Sequence, residues 1–175
     1  MTDPAPARQR LGRWVLGCGC LAAALAATLL IEPRPCLLWN ASASAPVGLY
    51  TVSVAAALTR GDMVIARVPG EFQALAARRH YLPANVPLVK RVAAVPGDMV
   101  CAAGARVTVN GRTAALRLDR DGAGRPMPWW SGCAELGAGE VFLLMTESAS
   151  SFDGRYFGVS NEGDIVGRAR LLWRR

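Results

Sequence analysis

The stretch "PLVKRVAAVPGDMV", Pro87 to Val100, decides the fold. Two Val-rich apolar runs flank a Pro-Gly pair, a pattern typical of short strands separated by turns. Comparable short apolar or alternating runs recur along the rest of the chain. They are "DMVIARV", "DMVCAA", "RVTV", "VFLLM" and "DIVGRARLLW". The sequence therefore predicts a mainly β protein, built as a small coiled antiparallel β domain.

Turn and helix signals complete this prediction. Asn110 and Gly111 in "VTVNGRTAAL" supply the two positive-φ residues of a tight β-hairpin. One short helix is predicted from Gly70 to His80. The Gly- and Pro-rich stretch 120–132 predicts a long loop. Near its end lie two adjacent tryptophans, Trp129 and Trp130, which either enter a membrane interface or close over the core, and the core placement is favoured.

The N-terminal region contains eighteen uncharged residues, Trp14 to Ile31. As a helix they span about 27 Å, close to the thickness of the hydrocarbon core of a bilayer. Arg8, Arg10 and Arg13 precede them, and the positive-inside rule places this end in the cytoplasm. The alternative is a cleaved signal peptide. The sequence predicts a single-pass inner-membrane protein with a cytoplasmic segment 1–13, a transmembrane helix 14–31 and a periplasmic domain 32–175.

Composition excludes two broad classes of protein. Hydrophobic residues make up 52% of the chain and charged residues 19%, which excludes disorder. The net charge is +7, but the arginines are scattered and form no basic run with interleaved aromatics. We therefore expect no nucleic-acid partner.

One residue stands apart among the twenty basic side chains, because Lys90 is the only lysine. An arginine keeps its proton at any workable pH, whereas a buried lysine can become a neutral amine. The neighbours Leu88, Val89 and Val92 predict that the Lys90 amine is partly removed from water. Lys90 is thus a candidate general base.

A matching nucleophile is found in "NASASAPVGLY", Asn40 to Tyr50, which carries hydroxyls at Ser42 and Ser44 before a proline and a glycine. A serine needs a base to attack a carbonyl, and a Ser-Lys pair needs no histidine. This suits a chain whose only histidine is His80. With one histidine and no C-x-x-C pair, the sequence predicts neither a metal site nor a cofactor.

The cysteines divide by region. Of the five, three lie in or just after the apolar segment, which leaves Cys101 and Cys133 in the exported part. An oxidising compartment favours a disulfide between these two residues. Two unpaired thiols are the alternative.

Four stretches of the chain carry a family resemblance. "SASAPVGLY", "VKRVAAVPGD" and "SFDGRYFGVSNEGDIVGRA" resemble, in order and spacing, the boxes of the type I signal peptidases, and "RGDMVIAR" at 60–67 resembles a fourth. The first box is most similar to the TraF branch, the conjugal-transfer peptidases. The resemblance implies a signal-peptidase/LexA-like fold and a serine endopeptidase with a Ser/Lys dyad.

The resemblance also implies roles for individual residues. Ser44 falls at the nucleophile and Lys90 at the general base. Ser42 falls where the family places a hydroxyl in the oxyanion hole, beside the backbone N–H of the nucleophile.

Four further positions match supporting residues of the family. Arg91 follows the lysine as in the family's Lys-Arg pair. Ser151 falls where a serine orients the amine, although the adjacent Ser150 remains an alternative. Asp153 and Arg155 match a structural ion pair. The stretch "MTESASS" before this pair is shorter than the family's usual box, so the support of the loop near the lysine is left open.

The resemblance further implies a protein precursor as substrate, either pilin-like or bearing a signal peptide. A general signal peptidase and a non-catalytic membrane-anchored assembly factor of the same fold are the alternatives. The sequence leaves open whether water or an amine resolves the acyl-enzyme, that is, hydrolysis or the joining of pilin ends.

Overall fold

The computed structural model of the protein describes residues 7–30, 35–55, 57–83 and 85–175. The chain divides into two compact units, Met1–Arg34 and Pro35–Arg175. The first six residues of the predicted cytoplasmic segment lie outside the described residues, as do positions 31–34, where the predicted helix ends and the predicted domain begins.

The first unit contains one long helix, α1 (Ala7–Leu30). Its apolar window, Leu11–Thr28, has a mean hydropathy of 1.5, and none of it is buried. Such a helix is long and apolar enough to act as a membrane anchor or a signal sequence. It begins seven residues before the predicted Trp14, because the arginine-bearing segment that precedes the apolar run is also helical.

The second unit is mainly β, which confirms the predicted fold class. Its strands are β1 (Leu37–Asn40), β2 (Gly48–Ser53), β3 (Met63–Ala66), β4 (Leu88–Ala94), β5 (Met99–Ala103), β6 (Arg106–Val109), β7 (Arg112–Leu116), β8 (Gly132–Glu135), β9 (Glu140–Leu144), β10 (Ser160–Asn161) and β11 (Ile165–Arg174). One sheet has the order β1-β2-β11-β3-β4-β9-β10 and the other β7-β6-β5-β8. All pairings between these strands are antiparallel.

The two sheets share a core. Phe142 and Leu144 of β9 pack with Val100 and Val107 of the smaller sheet. A second buried cluster, which includes Ala45 and residues of β2, β3, β4 and β11, lies under the segment between β1 and β2. That segment contains Ser44, so the candidate nucleophile stands directly on packed core.

The smaller sheet contains the predicted hairpin and a disulfide. Asn110 and Gly111 have φ values of 50° and 76° and connect β6 to β7, as the turn chemistry requires. Cys101 of β5 and Cys133 of β8 are directly opposite in register and are joined by a disulfide.

Helices are few in the described part of this unit. α2 (Gly70–Arg78) ends two residues before the predicted boundary, because His80 adopts a positive φ of 57° that stops the helix. α3 (Gly154–Phe157) is a single turn, and a short 3-10 turn covers Glu162–Asp164.

The two tryptophans at the end of the predicted loop behave differently. Trp130 packs edge-on against Phe142, and its indole N–H donates to the Gly154 carbonyl at 3.0 Å. Trp129 is 43% exposed and stacks under the guanidinium of Arg117. Of the two tryptophans, only Trp130 therefore packs over the core.

Candidate active site

The turn that carries Ser44 is held by Asn40, the last residue of β1. The Asn40 side-chain amide donates to the carbonyls of Ser42, Ala45 and Pro46 at 2.9, 3.2 and 3.1 Å. Its oxygen accepts from the backbone N–H of Ser42 at 3.1 Å. Because Asn40 is buried, these bonds replace water contacts and fix the turn. The sequence interpretation gave Asn40 no such role.

The far end of the turn is fixed by Tyr50 and Gly48. The Tyr50 hydroxyl donates to the Pro46 carbonyl at 2.8 Å. Gly48 lies against the last strand so closely that a Cβ on it would stand 2.1 Å from the carbonyl oxygen of Trp173. Glycine is therefore the only residue that permits this approach.

Lys90 lies in the middle of β4, paired with Val64 of β3. Its Nζ lies 3.1 Å from Ser44 Oγ and 2.8 Å from Ser151 Oγ. The whole residue is 1% exposed. The structure thus brings together the two candidate dyad residues, which are forty-six positions apart in the sequence.

Burial lowers the pKa of Lys90 from 10.5 to about 8. Desolvation is the largest cause, since removal from water disfavours the charged ammonium. The Asp153 carboxylate opposes the shift, and the Arg155 guanidinium adds to it. An amine with this pKa is neutral in a useful fraction of molecules near neutral pH.

Of the two candidate serines next to the lysine, the structure brings Ser151 into contact. Ser151 is 1% exposed, and its hydroxyl is the second partner of Nζ, whereas Ser150 is exposed. With Ser44 and Ser151 both within hydrogen-bonding distance, the Lys90 amine is held in one direction.

Asp153 and Arg155 form a buried ion pair beneath this loop. Arg155 Nε donates to Asp153 Oδ1 at 2.8 Å and Nη2 to Oδ2 at 3.1 Å, the bidentate geometry. Both residues are almost fully buried. Asp153 also accepts from the Met145 N–H, and Arg155 donates to the carbonyls of Met145 and Ala149. The pair therefore fastens both ends of the short loop that leads to Ser151.

Ser42 lies beside the candidate nucleophile. Its Oγ is 3.0 Å from Ser44 Oγ, and the Ser44 backbone N–H donates to it at 3.4 Å. The hydroxyl of Ser42 and the N–H of Ser44 are thus neighbours and contact each other, with Ser42 exposed and Ser44 half-buried.

Arg91 does not contact the candidate dyad. Its guanidinium donates to the Gly61 carbonyl at 3.0 Å and pairs with Glu147 at 3.4 Å. Consecutive residues of a strand point to opposite faces, so Arg91 must point away when Lys90 points inward. Among the described contacts, none joins the Arg91 side chain to that of Lys90, as a supporting role would require.

An apolar cleft of about 350 Å³ opens beside Ser44 and Lys90. Leu82, Leu88, Met127, Phe152 and Tyr156 form its apolar wall. The long loop, closed by a bridge between positions 120 and 126, lines one side. The sequence interpretation missed these wall residues, because they come from four separate segments.

The signal peptidase family, peptidase S26, matches residues 9–174 of the chain. The chain belongs to this family. Its membership supports peptidase activity of the serine type. The match extends from α1 to the end of β11 and includes every residue of the site described above.

Relatives place this member of the signal peptidase family in the TraF branch, which confirms the resemblance. A plasmid transfer protein TraF of Escherichia coli is 39% identical over 147 residues, which are 77% of this chain and 82% of the relative. A conjugal transfer protein TraF of Agrobacterium fabrum is 33% identical over 146 residues, 77% of this chain and 80% of the relative. A solved signal peptidase I from Enterococcus faecalis is 18% identical, with a TM-score of 0.37 over 66% of this chain and 98% of that one.

Proposed function

We propose that this protein is a membrane-anchored serine endopeptidase in which Ser44 is the nucleophile and Lys90 the general base. The observation that carries the proposal is the position of a buried amine 3.1 Å from a half-buried hydroxyl. In water a lysine is protonated and useless as a base, and burial removes that obstacle.

The proposed reaction uses these contacts. Neutral Lys90 takes the proton of Ser44 as the Ser44 oxygen bonds to the scissile carbonyl carbon. The Ser44 N–H and the Ser42 hydroxyl give up their contacts around Ser44 and donate to the resulting oxyanion instead. The Lys90 ammonium then gives its proton to the leaving amine, and the C–N bond breaks. Water, or the amine of another peptide end, afterwards attacks the acyl-enzyme.

Ser151, Asp153 and Arg155 are positioning residues in this scheme. Ser151 orients the amine by hydrogen bonding. The ion pair fixes the loop that presents Ser151 and tunes the pKa of Lys90 through the opposed effects of its two charges. No described contact gives Arg91 a part in this arrangement.

The substrate is an exported protein precursor, and a pilin-like precursor of a conjugation system is the specific candidate. The names of the plasmid and conjugal transfer relatives support this assignment. The precursor binds as an extended strand with the acyl side of the scissile bond in the apolar cleft. The apolar wall of that cleft favours apolar side chains on the acyl side of the scissile bond.

The site acts on the outer side of the inner membrane. The apolar window of α1 supports an anchor. The arginines before it support a cytoplasmic N-terminus, and the Cys101–Cys133 disulfide fits an oxidising periplasm.

The experiment compares full-length wild type, Ser44→Ala and Lys90→Arg in detergent micelles on a fluorogenic precursor peptide with small residues on the acyl side. Both variants should lose kcat by about 10³-fold or more, the latter because guanidinium cannot accept a proton. Ser53→Ala, an exposed serine of β2, is the matched control and should cleave normally. Equal, slow cleavage by wild type and Ser44→Ala would favour the non-catalytic assembly factor.

A further inference from the structure

A second cleft, of about 450 Å³, opens on the other side of the nucleophile turn. Among the described residues that line the two clefts, they share only Ala43 and Ser44. The charged side chains lining the second cleft are Arg91, Glu147, Arg174 and Arg175. Ser44 therefore stands between an apolar cleft and a predominantly cationic one.

The two C-terminal arginines are fixed next to Ser44 by the backbone. Arg174 is paired in register with Gly48, and the Arg175 N–H donates to the Val47 carbonyl at 3.0 Å. The charges of Arg174 and Arg91 both act on the Tyr50 hydroxyl, where they oppose the rise in its pKa caused by burial. Cations from β4 and β11 thus converge on one side of the turn.

These charges are only partly neutralised. Arg91 is paired with Glu147 at 3.4 Å. Within the described part of the chain, neither Arg174 nor Arg175 forms a salt bridge with an acidic side chain. The side chains that line the cleft carry three guanidinium groups and one carboxylate, an excess of positive charge beside the Ser44 hydroxyl.

A peptide that acylates Ser44 must extend to both sides of it. In the function proposed above, on which this inference rests, the acyl side occupies the apolar cleft. The residues that follow the scissile bond then leave Ser44 on the opposite side, along the cationic cleft. We propose that this second cleft binds a carboxylate-bearing side chain within the first few residues after the scissile bond, and so makes the enzyme selective for precursors that are acidic there.

An anionic lipid headgroup is a less suitable occupant. The cleft is lined by Ser44 itself, so any molecule that fills it blocks or takes part in the reaction. Glu147 at the same wall repels a phosphate and a side-chain carboxylate alike, but a peptide also offers backbone N–H groups to Glu147, which a phosphate does not. Arginine binds a carboxylate and a phosphate in the same bidentate geometry, so the preference for a peptide comes from Ser44 and Glu147 in the lining of the cleft.

The test uses the full-length protein in neutral detergent with three peptides that differ at one position after the scissile bond, which carries Glu, Gln or Lys. Glu and Gln have nearly the same shape, so their ratio of kcat/KM isolates charge. We expect a preference for Glu over Gln of about fivefold at low salt, the size of effect that exposed ion pairs give, and its loss in 1 M salt.

The decisive variant is Arg174→Glu/Arg175→Glu, which keeps the backbone pairing of β11 and reverses the charge. It should prefer the Lys peptide over the Glu peptide. The control Arg106→Glu/Arg112→Glu makes the same change in net charge on the smaller sheet and should keep the wild-type order. A merely structural role of the C-terminal arginines would not invert selectivity.

Two results overturn the inference. One is equal cleavage of the Glu and Gln peptides by wild type. The other is a charge-reversed variant that still prefers the Glu peptide over the Lys peptide. If that variant also detaches from vesicles containing phosphatidylglycerol, the arginines bind lipid instead. If wild type cleaves no peptide, the proposed function has failed instead. Fluorescence anisotropy with labelled peptides on the Ser44→Ala protein then decides the cleft, since tighter binding of Glu than Gln supports it and equal binding refutes it.

Discussion

Replacing Lys90 with methionine removes the buried amine and keeps an unbranched side chain of similar length. In the folded protein the pKa of Lys90 is about 8, whereas in the unfolded chain it has its ordinary value of 10.5. Folding below pH 8 therefore places an ammonium in a site that disfavours it. The difference between the two pKa values corresponds to about 3 kcal/mol of lost stability.

The sign of the pH dependence follows from the protons bound in each state. Between pH 8 and pH 10.5 the unfolded chain binds a proton at Lys90 that the folded protein does not. The stability of the wild type, relative to Lys90→Met, must therefore rise with pH across this window, by up to about 1.4 kcal/mol per pH unit. Below pH 8 the penalty is complete, and above pH 10.5 it is gone.

The assay is urea unfolding of both full-length proteins in detergent, followed by tryptophan fluorescence, from pH 6 to pH 11. Subtracting the two stabilities at each pH cancels the titration of all groups common to both proteins, including the tyrosines. The hydrogen bonds that methionine loses to Ser44 and Ser151 give a nearly constant offset. A difference that stays flat from pH 7 to pH 11 would falsify the depressed pKa, and with it the proposed base.

Four changes test other parts of the site. The cleavage rate of wild type should increase about tenfold per pH unit below pH 8 and then level off, because neutral Lys90 is the active form; a flat peptidase profile contradicts this. Arg155→Ala should destabilise the fold by about 3–5 kcal/mol in urea, since it leaves a buried carboxylate unpaired. Cys101→Ser/Cys133→Ser should lower the free energy of unfolding in urea by about 3.5 kcal/mol, because the disulfide closes a long loop. The variant should still cleave the peptide, because the disulfide lies away from Ser44 and Lys90. Asn40→Ala should lower kcat more than it raises KM, because the nucleophile turn loses its internal bonds; unchanged kinetics would remove Asn40 from the site.

Much of the fold could be predicted from the sequence because its strands are short, Val-rich and punctuated by Gly and Pro. The runs around Val64, Lys90 and Phe142 all form strands of the larger sheet. The prediction missed β1 and β2, whose sequences, "LLWN" and "GLYTVS", lie next to the nucleophile turn and lack a clear alternation. It also missed β8, "GCAE", which has weak strand propensity and is held by pairing with β5.

The candidate dyad could be predicted because a solitary lysine in an apolar strand is chemically unusual. The supporting residues were harder to predict from the sequence. The family resemblance predicts a supporting role for Arg91, but the two-residue period of a strand directs its side chain away from that of Lys90. Asn40 and the wall of the apolar cleft depend on how distant segments pack, and no local pattern encodes that.

The docking of the last strand against Gly48 has a practical consequence for anyone who purifies this protein. An affinity tag fused after Arg175 would begin at the cationic cleft, which the candidate nucleophile Ser44 also lines. Under the proposed function, a polyhistidine or acidic epitope there would compete with the substrate and lower the measured cleavage rate. Handles for capture and labelling therefore belong on the smaller sheet, at the Asn110–Gly111 hairpin, or ahead of the apolar helix.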